Sequence, residues 1–274
     1  MNHFKEIILV SKQVTAKPTL ELIDKLQDTL KTNILIFDPN SIKVSSTATL
    51  IITLGGDGTF LMSVRHVFLA GKLSQTTFLG LKESRQNFGY FCKYQKDDLA
   101  AIIKELEAPQ IMKVRLPEVE IDGNQEIFLN DLRIISHNKI VIDCLLNHRL
   151  IQTTAGSGVL LATGFGATGL NKSAGGPIVF PCFTKGEFSF PFIINHLQPI
   201  LNHRHHQITN SLVFPPQSTI TFKIVTAVDY DLLLDSKLMK PSQKDFTISF
   251  GSNILNIILY NNEDEYLNKL HDFL

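Results

Sequence analysis

The chain has 274 residues, with 26 basic against 26 acidic side chains, 44% hydrophobic and 19% charged residues, and a pI near 7.1. These are the proportions of a globular protein, and the balanced charge argues against a protein that coats nucleic acid. No apolar run is long enough to span a bilayer, and Met1-Asn-His-Phe-Lys-Glu6 carries charge where a signal peptide needs its apolar region. A cytoplasmic location, without a membrane or nucleic-acid partner, is the expectation.

In chain order, Glu6–Ser11 reads as a buried strand. Leu20, Leu22, Ile23, Leu26 and Leu30 then fall on a helical period over Thr19–Leu30. Thr32–Phe37 and Thr47–Leu54 read as a second and third strand. The third strand stops at Gly55-Gly56-Asp57-Gly58, and a new helical pattern begins at once with Phe60, Leu61, Val64, Val67 and Phe68. Strand, helix, strand, then strand-turn-helix is the opening of an α/β domain with a mostly parallel, Rossmann-like sheet. In such sheets ligands sit beyond the carboxyl ends of the strands, where Asp57 lies.

Glycines in that turn let the backbone approach a ligand closely, and the free N–H groups of a starting helix favour an anion such as phosphate. A carboxylate among them is costly, so Asp57 either holds a metal ion or takes a proton. The plainer alternative is an ordinary turn with Asp57 as N-cap.

Thr77–Leu81 reads as a further strand and Lys82–Gln86 as a polar loop. Asp97–Leu106 reads as a helix with Asp97 as its N-cap. After Pro109 short β-rich runs dominate: residues 113–121, 127–135, 139–145, 159–163, 219–225, 246–250 and 253–259. The expected division is therefore an α/β domain over residues 1–108 plus 261–274 and a β-rich domain over 109–260. In the tail, Leu267, Leu270 and Phe273 form a helical stripe suited to packing on a core surface. Cys92, Cys144 and Cys182 are scattered and odd in number, which suggests neither a disulfide framework nor a zinc site.

A second glycine-rich stretch runs from Gly156 to Val179. Gly164-Phe-Gly166-Ala-Thr-Gly169 matches the dinucleotide fingerprint in letters only. Gly175-Gly176-Pro177 ends any helix there after about two turns, whereas the fingerprint needs a full helix.

Together the two stretches resemble the NAD kinase family (ATP- or polyphosphate-dependent NAD kinases) over nearly the whole chain. Leu54–Phe60 is similar to that family's GGDGT block, and Asn130-Asp131 stands where it has Asn-Glu. Ser173-Ala-Gly-Gly-Pro-Ile-Val179 is similar to the end of its long glycine-rich block. Asn202–Pro215 loosely resembles a Pro-His-Ser-Leu segment, with His205 on the family's histidine. GGDGT alone is shared with diacylglycerol and sphingosine kinases and nearly with phosphofructokinases; Ser173–Pro177 is the more specific match.

The resemblance implies an N-terminal α/β domain and a C-terminal β-rich domain forming a cleft, with the last helix packed back on the first domain. Asp57 would be the base for the 2′-hydroxyl of the adenosine ribose of NAD, and the product would be NADP. Gly55, Gly56, Gly58, Thr59 and Phe60 would lie at the phosphates. Asn130 and Asp131 would bind adenine and ribose, and Thr168, Gly169, Leu170, Asn171, Lys172 and Ser173 the rest of the nucleotide, with Ser157 and His205 also lining the site. The phosphoryl donor would be ATP or polyphosphate with Mg²⁺. Family members form dimers or tetramers through the β-rich domain.

The chain departs from the family at several places. Ser157 replaces an aspartate, Gly164-Phe165 replaces Pro-Thr, Leu170 replaces a tyrosine, and Asn210-Ser211 stand where Arg-Pro is usual. Around residues 80–91 only Gly89-Tyr-Phe91 is kept. One lost charge-assisted hydrogen bond is worth roughly 1.5–3 kcal/mol, enough to lower affinity without ending catalysis. Two alternatives of other classes are a non-catalytic or altered-specificity nucleotide-binding paralogue and a diacylglycerol-type lipid kinase. The lipid kinase reading lacks an account of Ser173–Pro177.

Other features read as structural. His203, His205 and His206 have no Cys or carboxylate at ligand spacing and suit a solvated loop. Arg65 and His66 suit a solvent-facing side of their helix. Asp229, Asp231 and Asp235 suit a strand and turn, with Asp235 near the family's Asp-Gly turn, and Asn262–Glu265 suits a helix start.

Overall fold

The computed structural model describes residues 3–84, 89–180, 182–184, 187–200, 210–260 and 262–271. The chain forms two compact units: Met1–Val114, Thr184–Glu187 and Asn253–Phe273 in the first, Arg115–Phe183 and Phe188–Ser252 in the second.

The first unit begins β1 (Glu6–Ser11), α1 (Lys17–Leu30), β2 (Ile34–Phe37), β3 (Thr49–Leu54) and α2 (Asp57–Leu69). It continues with β4 (Thr76–Lys82), β5 (Cys92–Gln95) and α3 (Leu99–Glu107). Strands β2, β1, β3 and β4 lie side by side and parallel, Ile8 facing Leu35 on one side and Ile51 on the other. All six residues of β3 are buried, as a parallel strand covered on both faces requires. Leu22, Ile23 and Leu26 of α1 and Ile102 and Leu106 of α3 pack with Leu9, Leu50, Ile52 and Leu79.

Local chemistry sets the helix ends. Helix α1 starts two residues ahead of its apolar period because Pro18 lies in its first turn, where a missing N–H costs no helical bond. Helix α3 has Asp98, not Asp97, at its N-cap. The Asp98 carboxylate accepts from the Gln95 N–H at 3.1 Å and so closes the turn that leads into the helix.

The second unit contains β6 (Met112–Ile121, which starts in the first), β7 (Asn124–Ile127), β8 (Asp131–Leu146), β9 (Arg149–Ala162) and the single turn α4 (Leu170–Ser173). It continues with β10 (Cys182–Thr184), β11 (Glu187–Ser189), β12 (Phe192–Leu197), β13 (Leu212–Phe214) and β14 (Ile220–Ile224). The last strands are β15 (Asp231–Leu234), β16 (Lys237–Met239) and β17 (Asp245–Ile258). Pairing is antiparallel throughout β13-β12-β9-β8. The two halves of β8 then take different partners: Leu132–Ile135 pairs with β15, and Ile142–Leu146 with β14. Phe128, Leu132, Ile134, Ile142, Phe192, Phe222 and Phe246 form the core.

Several expected strands merge. Residues 127–135 and 139–145 do not form separate strands; β8 runs from Asp131 through both, with register shifts between Ile135 and Ile140 and between Cys144 and Leu145. Strand β9 begins ten residues before its expected start at Val159, because Asn147 and His148 both take left-handed φ, 48° and 67°, and form a two-residue hairpin. Gly156 and Gly158 interrupt its apolar pattern for a steric reason. A Cβ on Gly156 would lie 2.7 Å from the Leu197 carbonyl oxygen, and Gly158 sits at φ 150° against the Ile134 carbonyl.

Strand β17 joins both expected runs, 246–250 and 253–259, and ends at Ile258. Its last residues, Asn256–Ile258, pair in parallel with β4, so the chain re-enters the first unit at Asn253 rather than at 261. Helix α5 (Glu263–His271) follows, with the Asn262 side chain accepting from the Glu265 N–H at 2.9 Å. Its buried face is Tyr266 and Leu270, while Leu267 of the expected stripe is exposed and Phe273 lies outside the described residues. No helix among the described residues is long and apolar enough to cross a membrane.

Candidate functional site

The glycine turn lies where expected, at the carboxyl end of β3. Gly55 takes φ 151°, and a Cβ there would sit 2.6 Å from Thr59 Oγ1, so only glycine fits without strain. Gly56 is the extended N-cap of α2, Asp57 is the first helical residue, and Gly58 is exposed. The Thr59 N–H donates to the Gly56 carbonyl at 3.0 Å. Phe60 corrects the expected phosphate contact: its ring is fully buried, stacked on Phe91 at 4.7 Å and edge-on to Phe78. It anchors the helix start to the sheet.

The Asp57 carboxylate is clamped. Its two oxygens accept the Tyr90 N–H at 3.0 Å and the Phe91 N–H at 2.9 Å. This gives the retained Gly89-Tyr-Phe91 a role that its letters did not disclose. Burial raises the Asp57 pKa, against the pull of the Phe91 and Tyr90 amides and the Lys269 and Lys82 charges. A raised carboxylate is a better proton acceptor, provided the working pH keeps it ionised. Cys92 is buried beside it, donating to the Gly55 carbonyl at 3.4 Å. Burial pushes its thiol up to about 12, so it is not a nucleophile. His66 is tied to the Ile42 carbonyl at 3.1 Å rather than turned to solvent.

In the second unit three strand ends bring distant residues together. Asp131 opens β8 opposite Ala162, the end of β9, and Leu132 faces Leu234, the end of β15. The turns beyond these ends interlock. Asp235 accepts the N–H groups of Leu129 at 2.7 Å, Asn130 at 2.7 Å and Asp131 at 3.2 Å. Burial pushes its carboxyl up to about 7, against the pull of those amides. The Thr163 N–H donates to the Asn130 carbonyl at 2.9 Å, and the Thr163 hydroxyl donates to the Leu129 carbonyl.

Held this way, Asn130 keeps a buried Oδ1 with no hydrogen-bond partner among the described residues. Buried acceptors are seldom left unused, so this atom is a candidate ligand contact. Asp131 is buried, 3.0 Å from Arg133 Nε, which commits its carboxylate to an ion pair. A Cβ on Gly166 would overlap the Asn130 carbonyl oxygen. Gly166→Ala is therefore expected to displace the Asn130 backbone and cost about 1–3 kcal/mol of stability, as measured by denaturant unfolding.

The glycine-rich stretch after β9 forms a tight turn and then α4. Thr168 is half-buried, whereas Gly169, Leu170, Lys172 and Ser173 are exposed. Asn171 is not: its amide donates to the Ala167 and Pro177 carbonyls and its Oδ1 accepts from Asn195, so it locks the turn from inside. Ser157 and Ser173 share the wall of a cavity of about 710 Å³ with His196, Gln198 and Asp231. Within it Ser157 donates to the Gln198 side chain at 2.6 Å. Thus Asn130 and Asp131 belong to one cluster, and Ser157 and Ser173 to the cavity wall. His205, with His203 and His206, lies outside the described residues.

Among the described residues no three His, Cys, Asp or Glu side chains gather as a metal site. The fold and the turn define an α/β protein with a carboxylate set in a phosphate-type glycine turn, extended by a β-rich unit. No family model matches the sequence. It is 26% identical over 224 residues to the NAD kinase of Shouchella clausii, covering 78% of this chain and 79% of that one. Other bacterial NAD kinases match at 23–31% identity over 52–77% of this chain and 54–79% of theirs.

Two solved structures share the fold. An NAD kinase from Archaeoglobus fulgidus in complex with ATP superposes with a TM-score of 0.73, 17% identity and 98% of each chain covered. Yeast NADH kinase with NADH gives 0.73 and 15%, covering 99% of this chain and 88% of that one. The chain thus shares its fold with these NAD kinases and is similar in sequence to bacterial NAD kinases.

Proposed function

We propose that the protein is an NAD kinase that phosphorylates the 2′-hydroxyl of the adenosine ribose of NAD to give NADP, with ATP or polyphosphate as donor. The observation that carries this reading is the Asp57 carboxylate, fixed by two backbone amides at the mouth of a glycine turn. Asp57 takes the hydroxyl proton as the ribose oxygen bonds to the terminal phosphorus of the donor. The bond from that phosphorus to its bridging oxygen breaks, and the shortened donor leaves with the electron pair. The exposed N–H end of α2 and the Gly55–Gly58 turn receive phosphate oxygens. Asn130 Oδ1 receives a donor group of the nucleotide, and the exposed residues from Gly169 to Ser173 line the rest of it.

A divalent ion fits as part of the donor rather than as a resident of the protein. Asp57 is a single carboxylate with both oxygens already engaged, and Mg²⁺ is often held mainly by substrate phosphates. When bound, such an ion offsets the charge that develops on the transferred phosphoryl group. The reading also takes the protein to be cytoplasmic and a homodimer or homotetramer. The exposed Leu150, Val213 and Leu238 of the β-rich unit support self-association.

Incubation of the purified protein with NAD, Mg²⁺ and either ATP or polyphosphate is expected to yield NADP, and a chelator to stop it. NAD binding without NADP from either donor overturns the kinase reading. The non-catalytic paralogue would then stand, a reading for which Ser157 and Leu170 in place of an acid and an aromatic are the specific features.

A further inference from the structure

The clamp on Asp57 does not end at Tyr90 and Phe91. These two amides belong to the Gly89–Cys92 turn, and Lys269 of α5 holds that turn from behind. Its ammonium donates to the Gly89 carbonyl at 3.0 Å and to the Cys92 carbonyl. The turn comes close to the carboxylate: a Cβ built on Gly89 would lie 3.8 Å from Asp57 Oδ1. Helix α5 is fixed in place by a tyrosine cluster. Tyr266 meets Tyr260 edge-on at 5.3 Å, and the Tyr260 and Tyr90 hydroxyls lie 3.0 Å apart. Tyr260 is buried at the end of the segment that leads into α5, and Tyr90 adjoins the clamp itself.

We propose that Lys269 is a positioning residue for Asp57: from the C-terminal helix it fixes the turn whose amides hold the carboxylate, and it sets a positive charge behind that turn. The inference rests on Asp57 as the base. Two consequences follow from elementary electrostatics. A nearby cation favours the ionised carboxylate, the form that accepts a proton. A fixed turn keeps both amides aimed at the oxygens, which favours the same form and holds one rotamer. The other titratable or charged groups that face Asp57 among the described residues are Lys82 of β4, the Cys92 thiol and the Tyr90 phenol. The thiol and the phenol both stay neutral through the working range, because burial raises each. Lys82 remains as a second cation when Lys269 is replaced.

The test uses the full-length enzyme with Lys269→Gln, which keeps donors but no charge, Lys269→Met, which keeps neither, and Lys269→Arg, which keeps both. The readouts are the kcat–pH profile with saturating NAD and MgATP, and direct carboxylate titration by ¹³C NMR, with Asp57→Asn identifying the Asp57 signal. In the Gln and Met variants the acid limb and the NMR midpoint are expected to move upward by about half a unit or more, and Arg is expected to restore both. A merely structural lysine would lower activity equally at every pH. If the Gln and Met midpoints coincide with wild type while Asp57→Asn is inactive, the role of Lys269 is overturned and the base assignment stands. If Asp57→Asn turns over normally, the base assignment falls, and the NMR midpoints alone decide whether Lys269 acts on this carboxylate. If Met fails to fold, Gln against Arg still decides.

Discussion

Asp57→Asn is expected to lower the turnover of NAD to NADP by about 10²–10⁴-fold, the usual contribution of a positioned general base, while NAD still binds. Asparagine has the shape of the carboxylate but no basicity. One of its polar ends is an NH₂ that must face the Tyr90 or the Phe91 N–H, so the clamp keeps one bond of its two. A donor facing a donor costs about 1–3 kcal/mol where water cannot reach. That loss is partly offset at neutral pH. The folded pKa of Asp57 is raised, so ionising it works against the fold as pH climbs from the unfolded value through the folded one. The stability of the asparagine variant should therefore gain on wild type over that rise in pH. Steady-state NADP formation, titration of NAD binding and denaturant unfolding across the acid range check the three parts. Near-normal turnover would remove Asp57 from the role of base.

The contrast between Asp57 and its supports shows what the sequence could disclose. A β-branched run, two glycines and an acid are contiguous, so strand, turn and helix start are legible in eleven letters, Leu50–Phe60. The clamp joins residues 57 and 91 through backbone N–H groups, which any side chains at 90 and 91 would supply; composition carries no trace of it. Lys269 was invisible for the same reason, since it acts on carbonyls. Asp235 was legible only as a turn. Its φ of 47°, followed by 70° at Ser236, makes the hairpin, and the register of β15 on β8 turns its carboxylate toward residue 130. Phe60 and Asn171 went the other way, because proximity in sequence to a binding turn places a residue near the ligand without saying which way its side chain points. The strands that merged, β8 and β17, and the one that started early, β9, contain polar or glycine interruptions that local pattern reads as breaks. In the fold they are a register shift, close backbone approaches and a passage from one unit to the other.

Asp235→Ala is expected to be the most damaging change outside the glycine turn, on stability and NAD affinity together. Its carboxylate is the common acceptor for three consecutive amides, with Oδ1 serving Asn130 and Asp131 and Oδ2 serving Leu129. Alanine leaves all three without that acceptor. Each orphaned buried donor costs about 1–3 kcal/mol, and water entering the gap recovers part of this, so a net loss of roughly 2–5 kcal/mol is expected. The same change loosens the Asn130 turn, whose remaining ties include the Thr163 N–H and hydroxyl contacts with the Asn130 and Leu129 carbonyls and the bond from the backbone N–H of residue 235 to the Asp131 carbonyl. NAD affinity should then fall by about tenfold or more, since 1.4 kcal/mol of lost fixation is enough. Asp235→Asn separates support from charge: with its oxygen in the Oδ1 position it still accepts from Asn130 and Asp131, and only the Leu129 N–H meets the NH₂ group. The asparagine variant should recover most of the stability and most of the affinity, as read by denaturant unfolding and calorimetric titration of NAD. An alanine variant as stable and as tight as wild type would mean that the Leu129–Asp131 turn holds itself, and that Asn130 does not depend on Asp235.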